Sequence, residues 1–375
     1  MFRRFFSLAA ATVMAIAVVS VTATPAAGQA AKAPSKPYTP PRTADGHPDL
    51  QGTYDLATIT PLERLPGLTA VLTPQQAAAL EQYEIQRKAK DDAPIQGDRK
   101  APPVGGDKTP AKSYLEVLER LGGGPVGGYN QFWLDSGTRY TVVDGQIRSS
   151  IVVDPADGKV PPLTDAARKR QVALLSIPTS DAGESSNPGL EPGGSYDDPE
   201  RRPLSERCLL GFGSTSGPPA LPDYFYNNLH QIVQTPNSIM ILTEMVHDAR
   251  IVRMNAQHLP KTIRRWLGDS VGRWEGDTLV VDTTNFTDKT RFHGATENMH
   301  VVERFTRVDA KNLLYRFTIE DPDTWQKPWT GEYTWPVTDQ PIYEYACHET
   351  NYALGDVLRG ARAREAEAAA AKAAK

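Results

Sequence analysis

The sequence predicts a mainly β protein with its helices confined to the N-terminal side and the last residues. Three observations carry that expectation. From Arg139 onward apolar residues recur with period two. Short turn signals such as Asp144-Gly145, Pro236-Asn237 and Gly276-Asp277 separate those stretches. The 31 Pro and 29 Gly in 375 residues punctuate the chain too often for long helices. With 39% hydrophobic and 23% charged residues, there is apolar material for one large soluble domain or two small ones. A net charge of −4 excludes the basic footprint of a nucleic-acid binder or of a protein held on anionic lipid.

In chain order, residues 1–30 read as a signal peptide. Arg3 and Arg4 precede an apolar run from Phe5 to Ala23, and Ala26-Ala27-Gly28-Gln29-Ala30 offers small residues for cleavage near Ala30–Ala31. Export to the periplasm or medium follows, with no stable membrane insertion after cleavage. Residues 31–50 form a flexible leader, rich in Lys, Pro and Ala at its start. Residues 51–138 hold a strand, helices and a linker. Gly52–Leu56 is the strand, and Thr73-Pro74-Gln75-Gln76 opens a helix that runs to about Lys90. Asp91–Lys112 is a polar linker, and Ser113 with Glu116 caps a short helix that ends at Gly122-Gly123-Gly124.

Residues 139–354 form the β domain. Arg139–Val143 and Gln146–Val153 flank Asp144-Gly145, a helix follows Thr164, and Ser176–Pro203 is a surface excursion. Strands are then expected at Leu229–Thr235, Ser238–Met245, Arg250–Met254, Gly272–Glu275, Thr278–Thr283, Val301–Val308, Leu313–Glu320, Gly331–Val337 and Ile342–Ala346. Strands joined by short turns pair as an antiparallel up-and-down meander, and so many of them need closure or a second layer. A calycin-like barrel is the preferred architecture, and a sandwich is the alternative. Residues 355–375 read as a helical tail.

Cys208 and Cys347 are the only cysteines. In an exported chain an isolated pair favours one disulfide closing a very long loop.

Several separated blocks match, in order, a group of exported bacterial proteins described only as hypothetical. The blocks are Trp266–Ser270, Gly272–Phe286, Glu303–Arg307, Asp321-Pro322 with Pro328-Trp329, and Tyr343–Glu349. The chain resembles that group over Gly46–Leu65 and Asn227–Arg364. The resemblance implies export and carries no activity or site residues.

Established catalytic patterns fail here. Gly213-Ser214-Thr215-Ser216-Gly217 has Thr where a nucleophile elbow needs Ser, and Gly211 and Gly213 are not followed by the third glycine of a dinucleotide fingerprint. The seven histidines show no metal-ligand spacing, so neither metal nor cofactor is expected. Glu244 shares a strand face with Met240 and Leu242, with Arg250 or Arg253 as expected ion partner. With His247, Asp248, Arg250, His348 and Glu349 it makes a candidate acid/base cluster at a barrel mouth. Glu303 with Arg304, and Asp282, are further charges within strands. His230, Trp266, Trp274, Trp329, Tyr333 and Trp335 are candidate ligand contacts, and the tryptophans serve equally well as core.

Three functions follow: a barrel binding a small apolar or aromatic ligand, a secreted hydrolase or lyase using the Glu/His cluster, or a structural envelope protein. A small-molecule ligand is the expected partner, and the sequence points to no protein partner.

Overall fold

Thr73 caps the first helix as the sequence expects: its Oγ1 accepts from the Gln76 N–H at 3.2 Å, and Gln76 Oε1 accepts from the Thr73 N–H at 2.9 Å. A computed structural model describes residues 38–91, 135–175, 196–211, 217–222, 226–289 and 292–374. Its strands and helices run β1 (Gly52–Asp55), β2 (Val71–Leu72), α1 (Pro74–Asp91), β3 (Val142–Val143), β4 (Gln146–Arg148), β5 (Val152–Asp154) and α2 (Asp165–Leu175). They continue with β6 (Leu229–Gln234), β7 (Ser238–Thr243), β8 (Ala249–Met254), β9 (Asp269–Glu275), β10 (Thr278–Thr284) and β11 (His300–Arg307). The last are β12 (Asn312–Glu320), β13 (Trp329–Thr338), α3 (Cys347–Thr350) and α4 (Tyr352–Ala373). The expected signal peptide, the Ser113–Gly124 helix, most of the Asp91–Lys112 linker and most of the Ser176–Pro203 excursion lie outside the described residues.

Nine strands close into a mixed barrel, in the order β1-β6-β7-β8-β9-β10-β11-β12-β13 and back to β1. Closure leaves no free sheet edge between these staves, which decides barrel over sandwich. β1, from the segment before the main run of strands, is the closing stave. Tyr54 pairs with His230 on one side and with Val337 on the other. The long β13 divides one edge between two partners, β5 near Thr330 and Gly331 and β1 near Val337 and Thr338.

Two expectations need correction. The meander is interrupted because β8 and β9 run parallel, Val252 opposite Ser270 and Met254 opposite Gly272. The Asn255–Gly268 connection makes the return crossing that a parallel pair requires. Ile342–Ala346 is not a strand: β1 already occupies the β13 edge it would need, and Tyr343 is 68% exposed. In addition, the stretch expected as one strand over Gln146–Val153 divides. Its first part joins the small β2-β4-β3 sheet across the Asp144-Gly145 turn, and its second joins β13.

The barrel interior is a packed core. Phe305, Tyr315, Phe317, Trp329, Tyr333 and Trp335 have no exposed surface. Their rings touch in chains, with Tyr315 and Trp335 centroids 4.6 Å apart and Phe317 and Trp329 5.7 Å apart. Gly331 is glycine because a Cβ there would stand 2.4 Å from the Phe317 ring. The Gly217–Pro222 segment is buried among these rings, where the Ala220 N–H donates to the Tyr315 hydroxyl and the Tyr333 hydroxyl donates to the Ala220 carbonyl.

The expected bridge is present. Cys208 and Cys347 are disulfide-bonded with Cα atoms 5.8 Å apart, and α4 follows as a helix with no fully buried residue.

Candidate functional site

At the end of the barrel where β6 begins and β7 ends, a cleft of about 990 Å³ opens against the disulfide. Its floor is the β6 entry, Asn227 to Leu229, with Glu244 beside it. One wall is the chain leaving β13, with Tyr343, Tyr345 and Cys347; the other is the first two turns of α4, with Leu354 and Val357. The disulfide and Asn351 hold that helical wall: the Asn351 side chain donates to the Glu206 carbonyl at 2.7 Å.

Glu244 stands just beyond β7 and is 4% exposed. Burial was expected; its partner was not. Glu244 Oε1 accepts from the Tyr343 N–H at 2.9 Å, while Arg250 and Arg253 pair elsewhere. The turn after Glu244 holds Val246 at φ +60°, a left-handed conformation uncommon for a β-branched residue.

The cleft is acidic and aromatic. Asp135, Glu206 and Glu244 line it with Tyr226, Tyr343 and Tyr345, and among its described lining there is no Lys, Arg or His. The Tyr226 and Tyr345 rings stack at 6.3 Å with 19° between their planes. The negative field reaches Asp55 at the end of β1. Burial pushes its carboxyl above the usual value; the Ala57 N–H opposes that, and the Asp135 and Glu244 charges add to it.

The other expected site residues do not gather here. Arg250 points into the barrel and makes a bidentate ion pair with Glu303 on β11, to which the Tyr315 hydroxyl also donates at 2.9 Å. Burial opposes the Arg250 charge, but Glu303 outweighs it and raises the guanidinium above its ordinary value. His230 lies in the same interior, its Nε2 3.2 Å from Thr243 Oγ1. Burial lowers its pKa to about 4; the Asn228 carbonyl resists, and the Arg250 charge adds to the fall. His247, His348 and Glu349 are exposed and Asp248 is half-buried, and none of the four lines the cleft. The expected acid/base cluster therefore does not assemble.

Nor do the tryptophans form a wall. Trp329, Tyr333 and Trp335 are interior core, Trp274 stacks on His47 at 4.9 Å, and Trp266 sits 38% exposed in the β8–β9 crossover. The tyrosines that do line the cleft were missed. Tyr343-Glu344-Tyr345, separated from Cys347 by Ala346 alone, was the available signal, since a cross-link there keeps both rings near the bridge.

No family model, curated protein or solved structure matches the chain.

A second polar cluster lies on the outside of the barrel. His258, carried by the crossover, sets Nδ1 3.0 Å from Asp269 and Nε2 3.0 Å from Asp282, and His300 Nε2 is also 3.0 Å from Asp282. Arg253 Nη2 donates to both Asp269 oxygens at 2.9 Å. Burial pulls both carboxyls up, but their donors outweigh it and hold them below the usual range. The Asp282 hydrogen bond raises His300 above its ordinary value. Among the described residues, no group of three or more His, Cys, Asp or Glu is arranged to hold a metal ion.

Proposed function

We propose that this chain is an exported ligand-binding protein whose site is the cleft beside the Cys208–Cys347 bridge, taking a small molecule that carries an aromatic ring. The observation that carries the reading is the meeting of Tyr226, Tyr343 and Tyr345 in a cleft of about 990 Å³, while the barrel interior is filled by its own side chains. That volume suits a drug-sized molecule, and tyrosine faces with hydrogen-bonding amides supply the mixed lining of small-molecule sites. Export is supported by the residue pattern of positions 1–30 and by the disulfide. Among the described residues no helix is long and apolar enough to cross a membrane. We place the chain with the exported bacterial proteins whose sequence blocks it resembles. No observation favours the hydrolase or lyase reading, because of Glu244, His247 and His348 only Glu244 lines the cleft.

A thermal-shift screen of small aromatic compounds tests this. A ligand that raises the melting temperature of the folded protein, and loses that effect in the Tyr226→Ala/Tyr345→Ala double variant, supports the cleft as the site. Stabilisation that survives the double variant sinks it.

A further inference from the structure

We infer that the cleft selects an organic cation, a ring-bearing amine or quaternary ammonium, from among aromatic ligands. This rests on the reading of the cleft as a small-molecule site and names the chemistry it takes. Three features converge. Carboxylates enter from three separate parts of the chain: Asp135 from the segment before β3, Glu206 from the turn leading to Cys208, and Glu244 from the turn after β7. Glu206 is neutralised by Arg202, which binds it bidentately, whereas no Lys, Arg or His stands in the described lining beside Asp135 and Glu244. The Arg202 side chain is itself 2% exposed, and Glu244 spends one oxygen on a backbone N–H. An anionic ligand would therefore meet like charge and no donor of a full positive charge.

The tyrosines supply the second feature. Ring faces attract diffuse cations, with the greatest effect where water is partly excluded, and stacked tyrosines beside carboxylates form such an environment. Tyr226 and Tyr345 are parallel to within 19°, and the Tyr343 N–H, in the chain leaving β13, donates to Glu244. The third feature is what the carboxylates do not do. Among the described residues no three acidic, His or Cys side chains are grouped to hold a metal ion, and these carboxylates stand apart. A bulky cation with its charge spread over carbon-bound hydrogens fits both the aromatic faces and the separated acids. Burial chiefly raises the Asp55 carboxyl at the end of β1, and the Asp135 and Glu244 charges add to the rise.

Three size-matched probes distinguish the possibilities by calorimetry on the mature, oxidised protein: phenyltrimethylammonium, benzyl alcohol and benzoate. Phenyltrimethylammonium is expected to bind about tenfold more tightly than benzyl alcohol, with benzoate weakest, and raised salt should narrow the gap. Glu244→Gln should lose most of that preference while benzyl alcohol binding is unchanged. Should Glu244→Gln fail to fold, Asp135→Asn, at an exposed position, carries the same comparison. Equal binding of the three probes, abolished in Tyr226→Ala/Tyr345→Ala, overturns the charge selection and leaves the cleft intact as a site. Binding of none of them, with no hit in the aromatic screen, overturns both.

Discussion

His230 shows how a residue expected at a ligand site serves the interior instead. It faces inward on β6, hydrogen-bonds Thr243 across the β6–β7 pair and lies near the Arg250 charge. Its folded pKa of about 4 lies below the ordinary 6.5, so the unfolded chain takes up a proton that the folded chain refuses. Stability contributed by the neutral ring is thus complete above pH 6.5 and falls as pH drops towards 4, by roughly 3 kcal/mol in total. Urea titrations at pH 7.5 and 4.5 check this. His230→Gln should keep a hydrogen bond to Thr243 and lose about that much of the acid sensitivity; an unchanged pH dependence would falsify the neutral interior imidazole. Arg250 teaches a related lesson. Alternation along β8 puts Arg250 on one face with Val252, but neither the inward direction of that face nor Glu303 as partner was legible, because β9 and β10 separate the two strands in the sheet.

The β8–β9 crossover is the element the sequence reading missed, although its length was the signal. Antiparallel neighbours need a short turn, whereas Asn255–Gly268 is long enough to return to the start of the next strand. Its backbone is tied down by Arg265, whose N–H donates to the Asn285 carbonyl at 2.9 Å and whose carbonyl accepts from Thr287. Near its start it is latched by His258 between Asp269 and Asp282. Facing that latch are Arg253 from β8, His300 from β11 and Glu320 from β12. His300 is raised in the folded state, so its contribution is complete below pH 6.5 and is lost as pH rises through the raised value. The Asp269 and Asp282 contributions have the opposite sense. They are present above the ordinary carboxylate value and fade only in stronger acid. Hydrogen exchange over residues 255–268, corrected for intrinsic rate, should be faster at pH 8.5 than at pH 6. His300→Gln should flatten that difference, and equal protection at both pH values in the native protein counts against the latch.

At the scale of the molecule, one covalent bond decides how the C-terminal segment meets the barrel. The bridge spans 139 residues of sequence, which include β6 through β13. It also fixes the α3–α4 wall of the cleft, a helix that buries no residue fully and would gain little from packing alone. Cross-linking over such a span stabilises by about 2–5 kcal/mol, chiefly by restricting the unfolded chain. The Cys208→Ser/Cys347→Ser double variant should unfold at correspondingly lower urea. Limited proteolysis should cut within 347–373 before it cuts the barrel. A C-terminal segment as resistant as in the oxidised protein would show that packing holds it without the bridge.

The sequence by itself determined the local terms: strand periods, the two-residue turns at Asp144-Gly145 and Gly276-Asp277, the Thr73 cap, and the cysteine pairing once no third cysteine competed. These depend on neighbours a few residues apart or on counting. Tertiary structure alone decided that β1 closes the sheet, that β9 lies parallel to β8, and that Tyr226, Glu244 and Tyr345 meet at one end of the barrel. Each of those depends on contacts between distant segments, and alternation along a strand tells which residues share a face without telling what that face meets.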